Sequence, residues 1–181
     1  GSQKFHQVPV PRIGGIAFIL GFFFGTVYYG IEEDRELYLL YWAGVAAIPV
    51  FIGGLLEDLS KNIKVINRLL LAFFSASIAH YELGLSLDRI GWVWFDSNVL
   101  TFPGVSLLLM VFMVGGVSHA TNIIDGFNGL LLGFVVMALG VFGWVGYQVN
   151  DSLTVNIVLI MGGATLGLFI FNFPKGKIFL G

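Results

Sequence analysis

With 181 residues, 57% of them hydrophobic, only 11% charged, and a mean hydropathy of +0.90, the chain carries more apolar surface than a water-soluble domain of its size can hide. Cysteine is absent, which excludes disulfides, thiolate metal sites and thiol catalysis. A formal net charge of -2 selects no partner, and no nucleic acid is expected; the placement of the charges carries the information.

Taken in order, Gly1-Ser2 reads as a cleavage remnant, and the polar opening with Lys4, His6 and Arg12 does not read as a signal peptide. Apolar runs that can cross a bilayer need about 20 residues at helical rise. Residues 13–31 and 37–56 meet this without a charge, and residues 99–117, 127–149 and 153–173 meet it too. Residues 66–85 form a weaker run, interrupted by His80 and Glu82 near its end. The expected fold is therefore all-α, a polytopic integral membrane protein of about six spans. Residues 1–181 are read as one membrane-domain fragment, and the abrupt end at Phe179-Leu180-Gly181 as a truncation.

The connecting segments alternate sides. Residues 1–12, 57–68, 118–126 and 174–181 hold Lys4, Arg12, Lys61, Lys64, Arg68, Lys175 and Lys177, whereas the opposite set holds only Arg35 and Arg89. This asymmetry predicts that the first set is cytoplasmic. Most carboxylates fall on the other side, including the run Glu32-Glu33-Asp34-Arg35-Glu36, which reads as a solvated turn. Residues 86–104, with Trp92, Trp94, Phe95 and Pro103, read as an outer loop with interfacial aromatics and the option of a short hairpin. Glu57, Asp58 and Asp125 alone among the acids fall on the basic face, and cation binding is the obvious reason for them.

Four patches on that face carry candidate chemistry. In the first, the alternate prolines of His6-Gln7-Val8-Pro9-Val10-Pro11-Arg12-Ile13-Gly14-Gly15 hold the backbone extended. Arg12 then sits at the mouth of a helix starting at Gly14-Gly15. That is either a phosphate-binding lip or an ordinary linker with a snorkelling arginine. In the second, Glu57 and Asp58 close an apolar helix where two acids and the helix dipole oppose one another; a divalent cation, or Arg68 folding back, would relieve both penalties. The third is His119-Ala120-Thr121-Asn122-Ile123-Ile124-Asp125-Gly126-Phe127-Asn128-Gly129-Leu130. Its spacing places Asn122 and Asp125 on one helical face, and Gly126 and Gly129 permit a tight break. The fourth, from Phe171 through Asn172, Pro174, Lys175 and Lys177 to Phe179, reads alone as either a basic anchor or a site loop.

Together, H-x-x-P-x-P-R-x-G-G, G-x-x-[DE]-D…R-L, N-x-x-D-G-x-x-G-L and F-N-x-P…F-L-G resemble the polyprenyl-phosphate N-acetylhexosamine-1-phosphate transferases (glycosyltransferase family 4 type) across essentially the whole chain. Those membrane enzymes start lipid-linked peptidoglycan, O-antigen and teichoic-acid assembly. The resemblance implies a larger bundle of about ten helices, of which one preceding and about four following are missing here. It places Asp58, with Glu57 beside it, at the catalytic centre near Mg²⁺ (Mn²⁺ as the alternative) and the lipid phosphate. Asp125 joins Asp58 as catalytic residue and metal ligand, and Asn122 belongs to the nucleotide- and metal-binding loop. Asn172 and Phe179 match uridine-contacting positions, Phe179 by stacking. His6, Arg12 and Arg68 are expected to meet substrate phosphate.

Glu57, His119 and Asn128 depart from the usual Asp, Asn and Asp, which points to a bacterial surface-polysaccharide branch. The family's next metal-binding Asp lies past Gly181, so turnover by these residues alone is expected to be negligible. The implied partners are undecaprenyl phosphate, a UDP-N-acetylhexosamine and the bilayer of the bacterial inner membrane. The glycine seam Gly162-Gly163 and Gly167 suits a homodimer contact or packing within one chain. A secondary-transporter fragment and a non-catalytic membrane module are the rival readings.

Overall fold

The structure, a computed structural model, describes residues 11–29, 34–60 and 63–179. His6, Lys4 and Lys61 lie outside the described residues, as do Glu32 and Glu33. Seven helices account for most of the described chain: α1 (Gly14–Tyr29), α2 (Asp34–Ser60), α3 (Val65–Leu83), α4 (Val93–Asn98), α5 (Pro103–Ile124), α6 (Leu130–Gln148) and α7 (Ser152–Asn172). No strand occurs among the described residues. Helices are what hydrocarbon demands, because each backbone N–H and C=O must then be satisfied within its own segment.

The chain is an all-helical, polytopic membrane protein. By length and composition, Leu37–Ser60, Gly104–Ile124, Leu130–Gln148 and Ser152–Asn172 can cross a membrane, while α1 is apolar but shorter. The remaining expected span, residues 66–85, forms helix α3, which carries Arg68, His80 and Glu82 and is not among those four. Two boundaries differ from the sequence reading. α2 continues to Ser60, so Glu57 and Asp58 stand on its last helical turn. α5 runs through residues 118–124, which the polar composition had assigned to a loop. The segment 86–104 forms helix α4 rather than a hairpin, because the Asp96 carboxylate draws in the N–H groups of Ile90 (3.0 Å) and Gly91 (3.1 Å). Trp92 stacks on Phe95 behind that turn, with ring centroids 5.9 Å apart.

The helices group into two compact units, one of Gly1–Glu36 with Asn122–Gly181 and one of Leu37–Thr121. In the first, α7 is the central helix. Gly21 lies against Ala164, Gly25 against Ile160, and the Asn156 amide donates to the Tyr29 hydroxyl, so α1 and α7 run antiparallel. On its other side, Gly143 meets Val158 and Gly146 meets Thr154, which sets α6 antiparallel to α7 as well. Small residues let these backbones approach, and an amide gives them a polar tie, as membrane helices require. A Cβ on Gly162, Gly163 or Gly167 would meet nothing within 4 Å, so the close packing falls on other glycines than the seam singled out from the sequence. Phe24, Trp144 and Leu159 remain 66%, 65% and 67% exposed, as lipid-facing side chains do.

The second unit repeats the arrangement around α3. The Ser75 hydroxyl donates to the Ala46 carbonyl of α2, beside the carbonyl that Pro49 leaves without its helical donor. Phe73 packs on Phe112 of α5 (5.8 Å between centroids) and crowds Gly115. Both neighbours run antiparallel to α3.

Gly25→Leu should push α1 from α7, because even its Cβ would sit 2.7 Å from the stiff, branched Ile160 side chain. A loss of about 1–3 kcal/mol is expected, read as a lower midpoint of thermal unfolding in detergent. At the start of α7, Asp151 accepts from the Thr154 hydroxyl (2.6 Å) and from the Thr154 N–H (3.1 Å). These bonds, the hydroxyl's first, hold its carboxyl below the ordinary carboxylate pKa. The stabilisation is therefore present above the unfolded-state pKa and is lost as pH falls through the folded one. A thermal-unfolding series from neutral to strongly acidic pH should show an acid-side decline that is smaller in Asp151→Ala.

Candidate active site

Three of the four sequence patches meet at one end of the first unit, where α1 begins, α6 begins and α7 ends. Residues 173–179 fold back along the α7 terminus, with the Gly176 N–H on the Asn172 carbonyl (2.7 Å) and the Lys177 N–H on the Phe171 carbonyl (3.0 Å). Carbonyls that a helix end would leave without partners are satisfied in this way. The segment then joins the first patch: the Phe179 N–H donates to the Pro11 carbonyl (3.1 Å), and the Gly14 N–H donates to the Phe179 carbonyl (3.0 Å). Arg12 is exposed between these two bonds, and Phe179 is half-buried. The Gly14 N–H at the helix start is thus engaged by the Phe179 carbonyl.

The third patch enters from the other side. Asn122 is exposed on the last turn of α5, and Asp125 follows directly after it, half-buried. The chain turns sharply here, with the Gly126 N–H on the Ile124 carbonyl (2.7 Å). Gly129 opens α6 at φ 77°, a conformation that L side chains rarely adopt, and a Cβ there would lie 2.7 Å from the Phe173 ring. Asn172, 2% exposed, accepts the Gly129 N–H on its Oδ1 and donates from Nδ2 to the Ile178 carbonyl (2.8 Å). Asn128 donates from Nδ2 to the Pro174 carbonyl (3.1 Å).

The second patch lies at one end of the second unit. Arg68, on the first turn of α3, pairs with Glu57 on the last turn of α2; their side chains are 16% and 31% exposed. Of the two reliefs expected for the acid pair, the arginine is the one that reaches Glu57. Asp58, one residue on, stands about 100° further round the helix. His119 is exposed on α5. Among the described residues, no three His, Asp or Glu side chains gather into a metal-ligand cluster. That donor set does not suit a closed protein cage. It does suit magnesium, which keeps waters and commonly takes one or two carboxylates alongside substrate phosphates.

Sequence reasoning singled out Arg12, Asn122, Asp125, Asn172 and Phe179, and all five belong to the first unit. It passed over the bonding role of Asn128 and the Asn156–Tyr29 tie. The signal for the tie was an amide inside the apolar α7 helix, away from its ends. For Asn128, no signal short of its neighbour in space was available.

The family model for glycosyl transferase family 4 matches residues 38–181. The chain belongs to this family. Relatives within it include a probable undecaprenyl-phosphate N-acetylglucosaminyl 1-phosphate transferase of Bacillus subtilis, 28% identical over 99% of this chain and 49% of the relative. Phospho-N-acetylmuramoyl-pentapeptide-transferases are similar too. That of Lactobacillus gasseri is 25% identical over 99% of this chain and 59% of its own length, and that of Streptococcus pyogenes 28% identical over 100% and 59%. The chain therefore spans only about half the length of the curated relatives it matches. No solved structure matches it.

Arg68→Leu strands the Glu57 carboxylate in a half-buried position and should cost about 1–3 kcal/mol. Adding Glu57→Gln to that variant should restore part of the loss. Thermal unfolding of the two single variants and the double variant gives the coupling, and additive losses would mean that the pair contributes nothing.

Proposed function

We propose that the protein containing this chain transfers an N-acetylhexosamine-1-phosphate from a UDP-sugar to undecaprenyl phosphate, releasing UMP and starting a lipid-linked surface polysaccharide such as O-antigen. One observation carries the reading beyond family membership. The segments bearing Arg12, Asp125, Asn172 and Phe179 are hydrogen-bonded into a single end of one helical unit. A membrane enzyme that joins a lipid phosphate to a soluble nucleotide needs such a polar end beside apolar helices.

In the proposed reaction, an oxygen of the lipid phosphate attacks the β-phosphorus of the donor. The new P–O bond replaces the bridge between the α- and β-phosphates, and UMP leaves with the bridging oxygen. The nucleophile is already an anion, so positioning and charge neutralisation outweigh any strong base. Asp58 orients the attacking phosphate or takes its remaining proton. Arg12, Lys175 and Lys177, all exposed in the first unit, are assigned to phosphate charge. Phe179 is assigned to the uracil face and Asn122 to the nucleotide. Asp58 and Asp125 are each assigned to magnesium, which would supply neutralisation of the phosphates and stabilise the departing UMP. Arg68 pairs with Glu57 in the second unit, and Asp58 follows on the next position of the same helical turn. The basic asymmetry of the connecting segments supports a multi-pass protein of the inner membrane with this face cytoplasmic.

The test is UMP release by the full-length protein in nanodiscs, given undecaprenyl phosphate, a panel of UDP-N-acetylhexosamines, and magnesium or EDTA. Release should require both lipid phosphate and metal, and Asp58→Asn should lower it by at least about 100-fold, the scale of a positioned proton-transfer group. Well-folded protein that releases no UMP with any donor would overturn the reading.

A further inference from the structure

The amides at the meeting point of the third and fourth patches have a geometry that a substrate-contact role does not require. Asn172 is buried, and both ends of its amide are taken by backbone: the Gly129 N–H at the start of α6 and the carbonyl of Ile178. Ile178 directly precedes Phe179, so this amide fixes the backbone from which the Phe179 ring projects. The other amide, Asn128, holds the opposite end of the same loop through the Pro174 carbonyl. Gly176 lies between them at φ 57°, so close that a Cβ would fall 2.5 Å from Asn128 Oδ1. Two chain segments more than 40 residues apart are thus pressed together with no room for a side chain at the contact.

We propose that Asn128 and Asn172 form a two-amide clip that sets residues 173–179 against the start of α6, and so places the Phe179 ring to receive the donor's nucleobase. Both are positioning residues, and the inference rests on the transferase reading. The chemistry at position 128 is specific. Pro174 presents an acceptor, so the side chain facing it must donate, and a carboxylate of the same shape would set two acceptors against each other. At position 172 an acceptor and a donor are needed together, which only an amide of this length supplies to these two partners.

The clip can be read without any activity, because Lys175 and Lys177 are exposed trypsin sites on the loop it holds. The full-length protein in nanodiscs is digested with limiting trypsin, and cleavage after each lysine is followed by mass spectrometry. KM and kcat for the UDP-sugar are measured on the same samples. Asn128→Asp should raise cleavage at both lysines roughly two- to tenfold, the range set by one net hydrogen bond. Its KM should rise by a similar factor, with a smaller change in kcat. Asn172→Asp, which keeps the acceptor and loses the donor, should behave alike; should it fail to fold, the half-buried Asn128 still decides the matter.

A rise in KM with unchanged cleavage would make these amides direct donor contacts and overturn the clip. Unchanged cleavage and unchanged KM would overturn it equally. Faster cleavage in a protein whose wild type turns over no UDP-sugar would keep the clip, end its donor-setting role, and mark the transferase reading as the part that failed.

Discussion

The amide of Asn172 is the interaction on which the polar end of the first unit depends. A helix that stops near a membrane surface leaves carbonyls without donors, and a helix that starts there leaves N–H groups without acceptors. Both problems arise at the same place, where α7 ends and α6 begins. The N–H groups of Gly176 and Lys177 reach the last carbonyls of α7, while the buried Asn172 side chain takes the Gly129 N–H at the start of α6 and gives a hydrogen to the Ile178 carbonyl of the loop. The loop then has a fixed path, and that path delivers Phe179 to the start of α1, where two further backbone bonds close the ring of contacts. The sequence positions joined here are far apart, yet each link is an ordinary hydrogen bond between groups that would be costly to bury alone.

Electrostatics in the second unit follow a related economy. Two adjacent acids at the C-terminal end of a helix repel each other and oppose its dipole. Arg68 pairs with Glu57, and Asp58 stands on a different face of the same turn. α2 is what puts them there. Its 27 residues extend about 40 Å, longer than the roughly 30 Å hydrocarbon core, so the acids need not sit within the apolar layer. Glutamate at position 57 suits this role, since its longer arm reaches the next helix.

The helices were legible because apolar runs of near-bilayer length have few alternatives. α1, α2, α6 and α7 follow from hydropathy alone, and the four patches could be marked as the places where polarity lacked a structural excuse. Boundaries were less legible: Ser118, His119, Thr121 and Asn122 are polar, yet the helix continues through them, since polarity speaks to solvent and not to backbone geometry. α4 depended on the Asp96 carboxylate reaching back to two N–H groups, a local choice that composition does not encode. Arg68 could be named as a partner for the acid pair, but which of the two acids it meets is set by the helix faces of α2 and α3. Asn128 was invisible because its partner, Pro174, comes 46 residues later and offers only a carbonyl, which every residue has.

The pairing of α1 with α7 has a consequence for how such a chain is made. Tyr29 and Asn156 are joined across 127 positions, and all of the second unit is translated between them. At roughly 5–20 residues per second, α1 waits about 6–25 s in the bilayer before its partner emerges from the ribosome. During that interval it is a helix of 16 residues, about 24 Å long, with its glycine face and tyrosine hydroxyl turned toward lipid or the insertion machinery. Biogenesis of the first unit is therefore the late docking of an early helix, and the order of synthesis gives the intervening helices the first opportunity to assemble.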